Sequence, residues 1–196
     1  MVNVGILVFP QVEELDFVGP LETFAAGRKV DPGCLSVNLV SLEQGPLEGA
    51  NGLRFLPEVY AEGSEKMDVL ILPGGPGRRA AMKDRKLLAF VAGQYEHVRY
   101  LGTVCTGSFI AAEAGLLSGK AATTHHLYLD ELDSYEGVKV VRRKVVRDGR
   151  ILTAGGVSSG IDLGLCLLAL LFSEDLAKAA ADHIEFPYRP KEFAEF

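Results

Sequence analysis

Short apolar runs alternate with segments of helical spacing along most of the chain. Continuous runs predict buried strands at Val2 to Phe9, Asp68 to Leu72 and Leu101 to Val104, and Leu35 to Leu42 alternates as a strand does. Helical spacing predicts helices that begin near Pro20 and that cover Arg78 to Val98, Ser108 to Ala114 and Ser158 to His183. Asp148-Gly149 lies between two apolar runs and predicts a β-hairpin.

Strands that read as near-continuous hydrophobic runs and alternate with helices indicate an α/β fold. We therefore expect a mostly parallel sheet that is sandwiched by helices on both faces. In such sheets, ligands bind beyond the carboxyl ends of the strands. A length of 196 residues without an internal repeat or a linker predicts a single domain over residues 1–196.

Charge and cysteine content narrow the choice of partners and compartment. A formal net charge of -6 argues against nucleic acid or an anionic membrane as a partner. Three cysteines without a C-x-x-C pair argue against a disulfide framework and a thiolate zinc site, so we expect a cytoplasmic protein. The N-terminus lacks the pattern of a signal peptide, and the longest apolar stretch, Ile161 to Phe172, is too short to span a bilayer.

Cys105 is the first candidate for chemistry, because it follows a buried strand and precedes a predicted helix. A sharp turn at such a point raises a side chain out of the sheet, as at the nucleophile elbow of hydrolases. The free N–H groups and positive dipole end of the helix favour thiolate over thiol. The alternative is a small buried apolar residue without a role in chemistry. Cys34 and Cys166 lack this context, and we expect no catalytic role for either.

Backbone amides and a carboxyl group are predicted at the same edge of the sheet. Gly74 and Gly75 follow a buried strand, and an amide there together with the Thr106 N–H would form an oxyanion hole. A tight turn is the alternative interpretation of the glycines. Asp16 follows the first strand among apolar neighbours, and burial there would raise its pKa so that it exchanges a proton near neutral pH. Its alternative role is to stabilise the start of a helix.

Two adjacent histidines, His125 and His126, form the last candidate group. Neighbouring residues point in different directions on a strand or helix, so one of the two can face a cleft while the other does not. A catalytic pair of Cys105 with one of these histidines is an open alternative, and so is a structural role for both histidines. No further ligands stand at the spacing of a zinc motif, so we expect no metal.

Four blocks of the sequence form a recognisable series, and they read VGILVFPQVEELDFVGP, DVLILPGGPG, TVCTGSFIAAEAGLLSGKAATTHH and VVRDGRILTAGGVSSGID. With these blocks the chain resembles the ThiJ/PfpI superfamily, which has a flavodoxin-like, class I glutamine amidotransferase-like fold with a reactive cysteine at a nucleophile elbow. They resemble most the branch that holds isonitrile hydratases and the sensor domains of AraC-type regulators. The resemblance also implies a homodimer, and the aromatic residues of the tail, from Phe186 to Phe196, favour an interface as well.

The resemblance implies a cysteine-dependent hydratase or hydrolase of small molecules, which converts an isonitrile and water into an N-substituted formamide. Cys105 would attack the terminal carbon, Asp16 would act as general acid and base, and Gly74, Gly75, Thr106 and His125 would bind substrate or stabilise charge. Because both reacting groups are side chains, no cofactor is expected. The alternatives are a ligand-binding module related to the regulator sensor domain and a glyoxalase- or deglycase-like enzyme.

The sequence also departs from the relatives that it resembles. Thr106 stands where peptidase-like or chaperone-like members carry His, and Asp16 stands where those members carry Glu. His126 stands where the hydratases carry Trp, which predicts a different pocket wall. The last matching block ends shortly before Phe196, so we expect no DNA-binding domain of the kind that the regulators append.

Overall fold

An eight-stranded sheet forms the centre of the protein, whose structure is a computed structural model that describes residues 1–196. In chain order the strands are β1 (Val2–Leu7), β2 (Leu35–Ser41), β3 (Leu47–Glu48), β4 (Arg54–Phe55), β5 (Val59–Tyr60), β6 (Val69–Leu72), β7 (Tyr100–Val104), β8 (Ala121–Ala122), β9 (Lys139–Val140), β10 (Val145–Asp148), β11 (Ile151–Ala154) and β12 (Phe193–Glu195). The central sheet has the order β12-β10-β11-β7-β6-β1-β2-β5, while β3 pairs with β4 and β8 with β9.

The sheet is parallel except at β10 and β12, which run opposite to the other strands. Strands β10 and β11 form the predicted hairpin, in which Asp148 pairs with Ile151. The turn places Gly149 at φ 61°, a conformation that glycine adopts without steric cost. The predicted mostly parallel α/β sheet is therefore confirmed.

Seven α-helices cover the two faces of the sheet. They are α1 (Glu14–Val30), α2 (Arg78–Ala81), α3 (Arg85–Tyr95), α4 (Gly107–Glu113), α5 (Leu129–Asp133), α6 (Ser159–Leu171) and α7 (Glu174–His183). Helices α1, α6 and α7 pack on one another, and α2 and α3 pack on α4, which contacts β6 and β7. A single cluster of 44 buried residues forms the hydrophobic core between these layers.

Three helix boundaries differ from the prediction, each for a local reason. The segment predicted as one helix over Arg78 to Val98 is two helices, because the Asp84 carboxylate caps α3 by accepting from the N–H groups of Lys86 and Leu87. The segment over Ser158 to His183 also divides, because the Ser173 hydroxyl accepts from the N–H of Leu176 and starts α7. Both caps are ordinary start signals that lay inside longer apolar patterns.

Helix α1 begins at Glu14 rather than near Pro20, so Pro20 lies in its interior. The proline lacks the N–H that would bond to the Asp16 carbonyl one turn earlier. Its ring packs closely on Gly160 of α6, where a Cβ would come within 2.9 Å of the proline Cδ. Pro20 thus lies inside the helix at the point where α1 packs closely on α6. Because α1 begins at Glu14, Asp16 lies in its first turn.

Strands β11, β7, β6 and β1 are neighbours in the sheet, and all four run in the same direction. Their carboxyl ends therefore lie at one edge, together with the loops that follow them. Those loops include Gly155 to Ser158, Cys105 and Thr106, Pro73 to Gly77, and Val8 to Glu13. Four segments that are far apart in the sequence meet at this edge.

The C-terminal tail is largely covered by its own chain. Strand β12 pairs with β10, and the Tyr188 and Phe193 rings pack with their centroids 6.5 Å apart. Phe196, which is 52% exposed, is the aromatic residue of the tail that stays largely in solvent. The tail therefore gives less reason for a dimer interface than its sequence suggested.

A helix that spans a membrane must be both long and apolar. Each helix of the structure is too short or too polar to cross a bilayer.

Candidate active site

Cys105 occupies a sharp turn between β7 and α4. Its φ is 55°, in the left-handed region that costs a non-glycine residue about 1–3 kcal/mol. The strain is held in place because the Cys105 N–H donates to the carbonyls of Ala154 and Gly155 at 3.2 and 2.8 Å. Gly107 has no room for a side chain, since a Cβ there would overlap the Leu72 carbonyl oxygen. This geometry is that of a nucleophile elbow.

Asp16 lies completely buried in the first turn of α1. Its Oδ2 accepts from the Gly74 N–H at 2.9 Å, whereas Oδ1 has no hydrogen-bond partner. Burial, and to a smaller extent the charge of Glu13, raise the pKa of Asp16 to about 7, and the Gly74 N–H and the nearby Cys105 thiol oppose this rise. The predicted proton-exchanging carboxyl group is therefore next to the predicted nucleophile, and no cation balances it.

Cys105 itself rests as a thiol rather than as the thiolate that the helix N-terminus favoured. Burial, followed by the charge of Asp16, raises its pKa to about 12. The backbone N–H groups of Val157 and Thr106 oppose this rise as hydrogen-bond donors. The N-terminus of the short helix α4 stabilises a thiolate by less than desolvation destabilises it, so the thiol form is favoured. Cys105 needs a proton acceptor at the moment of attack, and ionised Asp16 is in place to serve.

The backbone N–H groups of Gly74 and Gly75 already donate to side chains of the protein and are not available to a substrate. The Gly75 N–H donates to the Thr106 hydroxyl at 3.1 Å, and the Gly74 N–H holds Asp16. The N–H groups of Thr106 and Val157 have no backbone or side-chain oxygen as acceptor. Thr106 and Val157 therefore offer the donors that the sequence analysis had assigned to Gly75 and Thr106.

Val157 is a functional candidate that sequence reasoning missed. It has a φ of 42°, which is a genuine outlier for a β-branched residue. The residue lies in the loop after β11, directly after Gly155 and Gly156. That glycine pair at the end of a parallel strand is the same signal that drew attention to Gly74 and Gly75, and it could have located Val157.

A cleft of about 470 Å³ opens in front of Cys105. Its lining residues are Glu13, Gly75, Pro76, Arg78, Arg79, Cys105, Thr106, His125, Leu127, Tyr128 and Val157. Cys105 is 6% exposed, so the sulfur is accessible only from this side. Neither Cys34 nor Cys166 lines the cleft. No three His, Cys, Asp or Glu side chains lie together as metal ligands would.

The two adjacent histidines face different clefts. His125 is half-buried and lines the Cys105 cleft, and burial and the neighbouring His126 lower its pKa. His126 is exposed, stacks on His125 with ring centroids 4.4 Å apart, and lines a different cleft. His125 Nδ1 accepts from the Leu127 N–H at 3.3 Å, so this ring caps the short 3-10 turn His126–Tyr128.

Arg78 is the second lining residue that sequence reasoning missed. Its side chain is 5% exposed and pairs with the Glu131 carboxylate through bonds of 3.0–3.1 Å. The guanidinium lies 4.2 Å from the Phe109 ring centroid and 5.0 Å from that of Tyr128. Arg78 thus connects α2 to α5 and fixes one wall of the cleft. No local pattern marks it, because its partners lie more than 30 residues away.

Residues 2–170 match the DJ-1/PfpI family. An isonitrile hydratase of Pseudomonas putida is 38% identical over 188 residues, which cover 96% of this chain and 80% of that protein. The transcriptional regulator CdhR of Pseudomonas aeruginosa is 28% identical over 87% of this chain and 51% of its own length. The chain therefore belongs to the DJ-1/PfpI family, as its sequence motifs indicated.

Solved structures show the same fold. A ThiJ/PfpI family protein from Pseudomonas syringae superposes with a TM-score of 0.87 at 31% identity, covering 96% of this chain and 77% of that one. Drosophila melanogaster DJ-1beta superposes with a TM-score of 0.85 over 95% of this chain and 99% of its own, and at 20% identity it supports the fold alone.

Proposed function

We propose that the protein is a cysteine-dependent hydratase of small molecules, which adds water to an isonitrile to give an N-substituted formamide. The observation that carries this proposal is the buried Asp16 carboxyl, with a pKa of about 7, beside Cys105 at the base of an open cleft. A proton carrier of this pKa is half-ionised near neutral pH and serves as both acid and base. The similarity to the Pseudomonas putida isonitrile hydratase supports the substrate class.

In the first half of the reaction, ionised Asp16 takes the thiol proton as the Cys105 sulfur attacks the terminal isonitrile carbon. A carbon–sulfur bond forms, and the electron pair left on that carbon accepts the proton back from Asp16. The product is a thioimidate on Cys105, with a carbon–nitrogen double bond. The N–H groups of Thr106 and Val157, which are directed to the sulfur, would stabilise the charge that develops on it during attack.

In the second half, Asp16 is again ionised and takes a proton from a water molecule that attacks the thioimidate carbon. The nitrogen receives that proton, and the tetrahedral adduct carries a hydroxyl group. Asp16 then takes the hydroxyl proton as the carbon–sulfur electron pair returns to Cys105, the formamide leaves, and Asp16 passes that proton to the sulfur to restore the thiol. One water is consumed, and both side chains recover their starting states.

A screen with two substrate classes tests this proposal. Isonitriles and glyoxals are offered to the native protein and to Cys105→Ala, and consumption of each is followed by absorbance. We expect turnover of an isonitrile to its formamide, which disappears in Cys105→Ala. Cys166→Ala is the matched control, because Cys166 is also buried (8% exposed) but lies outside the cleft, and it should retain turnover.

The other outcomes identify the competing functions. Turnover of glyoxals alone would indicate a glyoxalase- or deglycase-like enzyme and would contradict isonitrile hydration. A non-catalytic sensor module is the second candidate, favoured by the 28% identity to the regulator CdhR. Saturable binding of an isonitrile without conversion by the native protein would support that module.

We also propose that the protein forms a homodimer in a reducing cytoplasm. The compartment fits three cysteines that all remain unpaired, and the dimer is an inference from the family resemblance. Leu53 and Leu56 are 47% and 61% exposed, so apolar surface is available for an interface. Light scattering at micromolar concentration should give twice the mass of one chain, and a monomeric mass would contradict the dimer.

A further inference from the structure

A second cleft, of about 440 Å³, lies beside the Cys105 cleft and has a different character. Its lining residues are Thr123, Thr124, His126, Leu129, Arg142, Arg143, Lys144, Gly155, Gly156, Lys191 and Glu192. Four of these carry a permanent positive charge and one carries a carboxylate, in a chain whose formal net charge is -6. We call it the basic cleft.

Two of the four cations are already paired, and two are not. Lys144 Nζ lies 2.9 Å from an oxygen of the buried Asp162 and 3.7 Å from Glu192. Arg142 lies 3.7 Å from Asp130, with both side chains mostly in solvent. Arg143 and Lys191 have no carboxylate within 4.0 Å. The basic cleft therefore holds two positive charges that no group of the protein neutralises.

Backbone donors in the lining are also without acceptors. The N–H groups of Thr124 and Gly156 bond to no oxygen of the protein. Thr124 is almost completely buried, and a buried N–H without an acceptor is costly unless a ligand or water accepts from it. Free cations together with free backbone N–H groups are the elements from which proteins build anion sites.

We propose that the basic cleft binds a small molecule through a dianionic group, either a phosphate monoester or a dicarboxylate. Arg143 and Lys191 supply the two charges that match such a group. Lys144, neutralised by Asp162, serves as a hydrogen-bond donor at the cleft wall, and the free N–H groups add neutral donors.

The basic cleft is distinct from the proposed catalytic cleft, although the two share a wall. Cys105 does not line it, and no residue lines both clefts. The wall consists of Thr124 to His126 and of Gly155 to Val157. Within it, the Thr124 hydroxyl donates to the Cys105 carbonyl at 2.9 Å. The proposal therefore does not depend on the reaction assigned to Cys105.

Calorimetric titration of the native protein with inorganic phosphate, and separately with succinate, tests the proposal at constant ionic strength set with chloride. We expect saturable binding of at least one probe. Arg143→Gln and Lys191→Gln should each weaken it about tenfold, because a charged hydrogen-bond partner is lost. Tighter binding of phosphate than of succinate would identify the phosphate monoester, and the reverse order the dicarboxylate.

Lys83→Gln is the matched control, since Lys83 is an exposed lysine on the segment between α2 and α3 that forms no ion pair. It should bind the probe as the native protein does. The proposal is overturned if neither probe binds saturably, if Arg143→Gln and Lys191→Gln both keep native affinity, or if Lys83→Gln weakens binding equally. Cys105→Ala should keep native affinity for the probe, so this outcome is independent of the isonitrile screen.

Discussion

Two aspartates, Asp16 and Asp162, are buried to the same degree but have different surroundings. Asp16 is 0% exposed and Asp162 is 1% exposed, each in the first turn of a helix that packs on the sheet. Asp162 lies 2.9 Å from Lys144 Nζ, whereas Asp16 accepts one hydrogen bond, from the Gly74 N–H, and has no cation beside it. Burial raises the pKa of both carboxyl groups.

The difference between them lies in what offsets the cost of burial. Lys144, whose Nζ lies 2.9 Å from Asp162, lowers the pKa of that carboxyl group, and the ion pair connects α6 to the segment before β10. No cation does this for Asp16, whose proton is thus exchangeable near neutral pH. Burial alone does not identify an acid–base residue, and the neighbouring group decides between a structural and a chemical role.

The largest expected effect separates the two aspartates by catalysis. Asp16→Asn removes the proton acceptor of Cys105 and should reduce isonitrile turnover about 10²–10⁴-fold. Asp162→Asn lies outside the cleft and should retain turnover within about threefold, because the lost pair does not contact the reacting atoms. Initial rates at saturating substrate measure both. Equal losses in the two variants would contradict the assigned difference.

Stability should respond to pH through Asp16. Its folded pKa of about 7 exceeds the ordinary 3.8, so the native state binds the proton more tightly and unfolding free energy falls as pH rises from about 4 to 7. The Asp16→Asn variant has no carboxyl group to ionise, so its unfolding free energy does not fall with pH for this reason. Its stability relative to native should therefore rise between pH 4 and pH 8, by about 4 kcal/mol at most.

Urea unfolding at the two pH values measures this change. Glu22→Gln, an exposed carboxylate on the same helix, controls for the loss of one negative charge, and its effect should vary by less than about 0.5 kcal/mol. A relative stability of Asp16→Asn that stays constant from pH 4 to pH 8 would be evidence against a protonated, buried Asp16.

A smaller effect is expected at the other aspartate. Lys144→Gln leaves the Asp162 carboxylate buried without its cation, and it should lower the unfolding free energy at pH 7 by about 3 kcal/mol. The double variant Lys144→Gln/Asp162→Asn removes the stranded charge and should recover most of that loss. A double variant less stable than Lys144→Gln would show that the pair does not act as a unit.

The smallest effect concerns the support of Cys105. Thr124→Val removes the hydroxyl that donates to the Cys105 carbonyl and should cost about 1 kcal/mol. Thr103→Val is the isosteric control in β7, the strand that leads to Cys105, because the Thr103 hydroxyl is buried without a hydrogen-bond partner. That variant should be neutral or stabilising in the same unfolding experiment. A reversed order would mean that the Thr124 bond contributes little.

The sheet could be predicted from the sequence because its strands carry local signals. β1, β6 and β7 are apolar runs that end at Pro, Gly or Cys, and the hairpin has its Asp148-Gly149 turn. The helix divisions at Asp84 and Ser173 were missed, since a cap inside a longer apolar pattern does not interrupt the spacing. The interior position of Pro20 was missed because it depends on packing against Gly160.

The site was predictable only where a residue's own neighbours define it. Cys105 directly follows β7, Asp16 lies in the first turn of α1 after the loop that follows β1, and the parallel topology brings the two together. Arg78 depends on Glu131, which is far along the chain, and has no local signature, whereas the glycine pair before Val157 is a local signal that the sequence analysis did not use. The protonation of Cys105 depends on desolvation by the whole fold, and the assignment of free amides depends on which acceptors they meet.

The glycines packed behind the elbow have no room for a side chain, whereas two residues at the rim of the cleft are exposed. A Cβ at Gly74 would overlap the Thr106 hydroxyl, and one at Gly77 or Gly107 would overlap a backbone carbonyl oxygen. Arg79 and Leu127, by contrast, are exposed at the rim of the same cleft. Substitutions at Arg79 and Leu127 therefore change the entrance of the cleft without disturbing the close backbone packing behind Cys105.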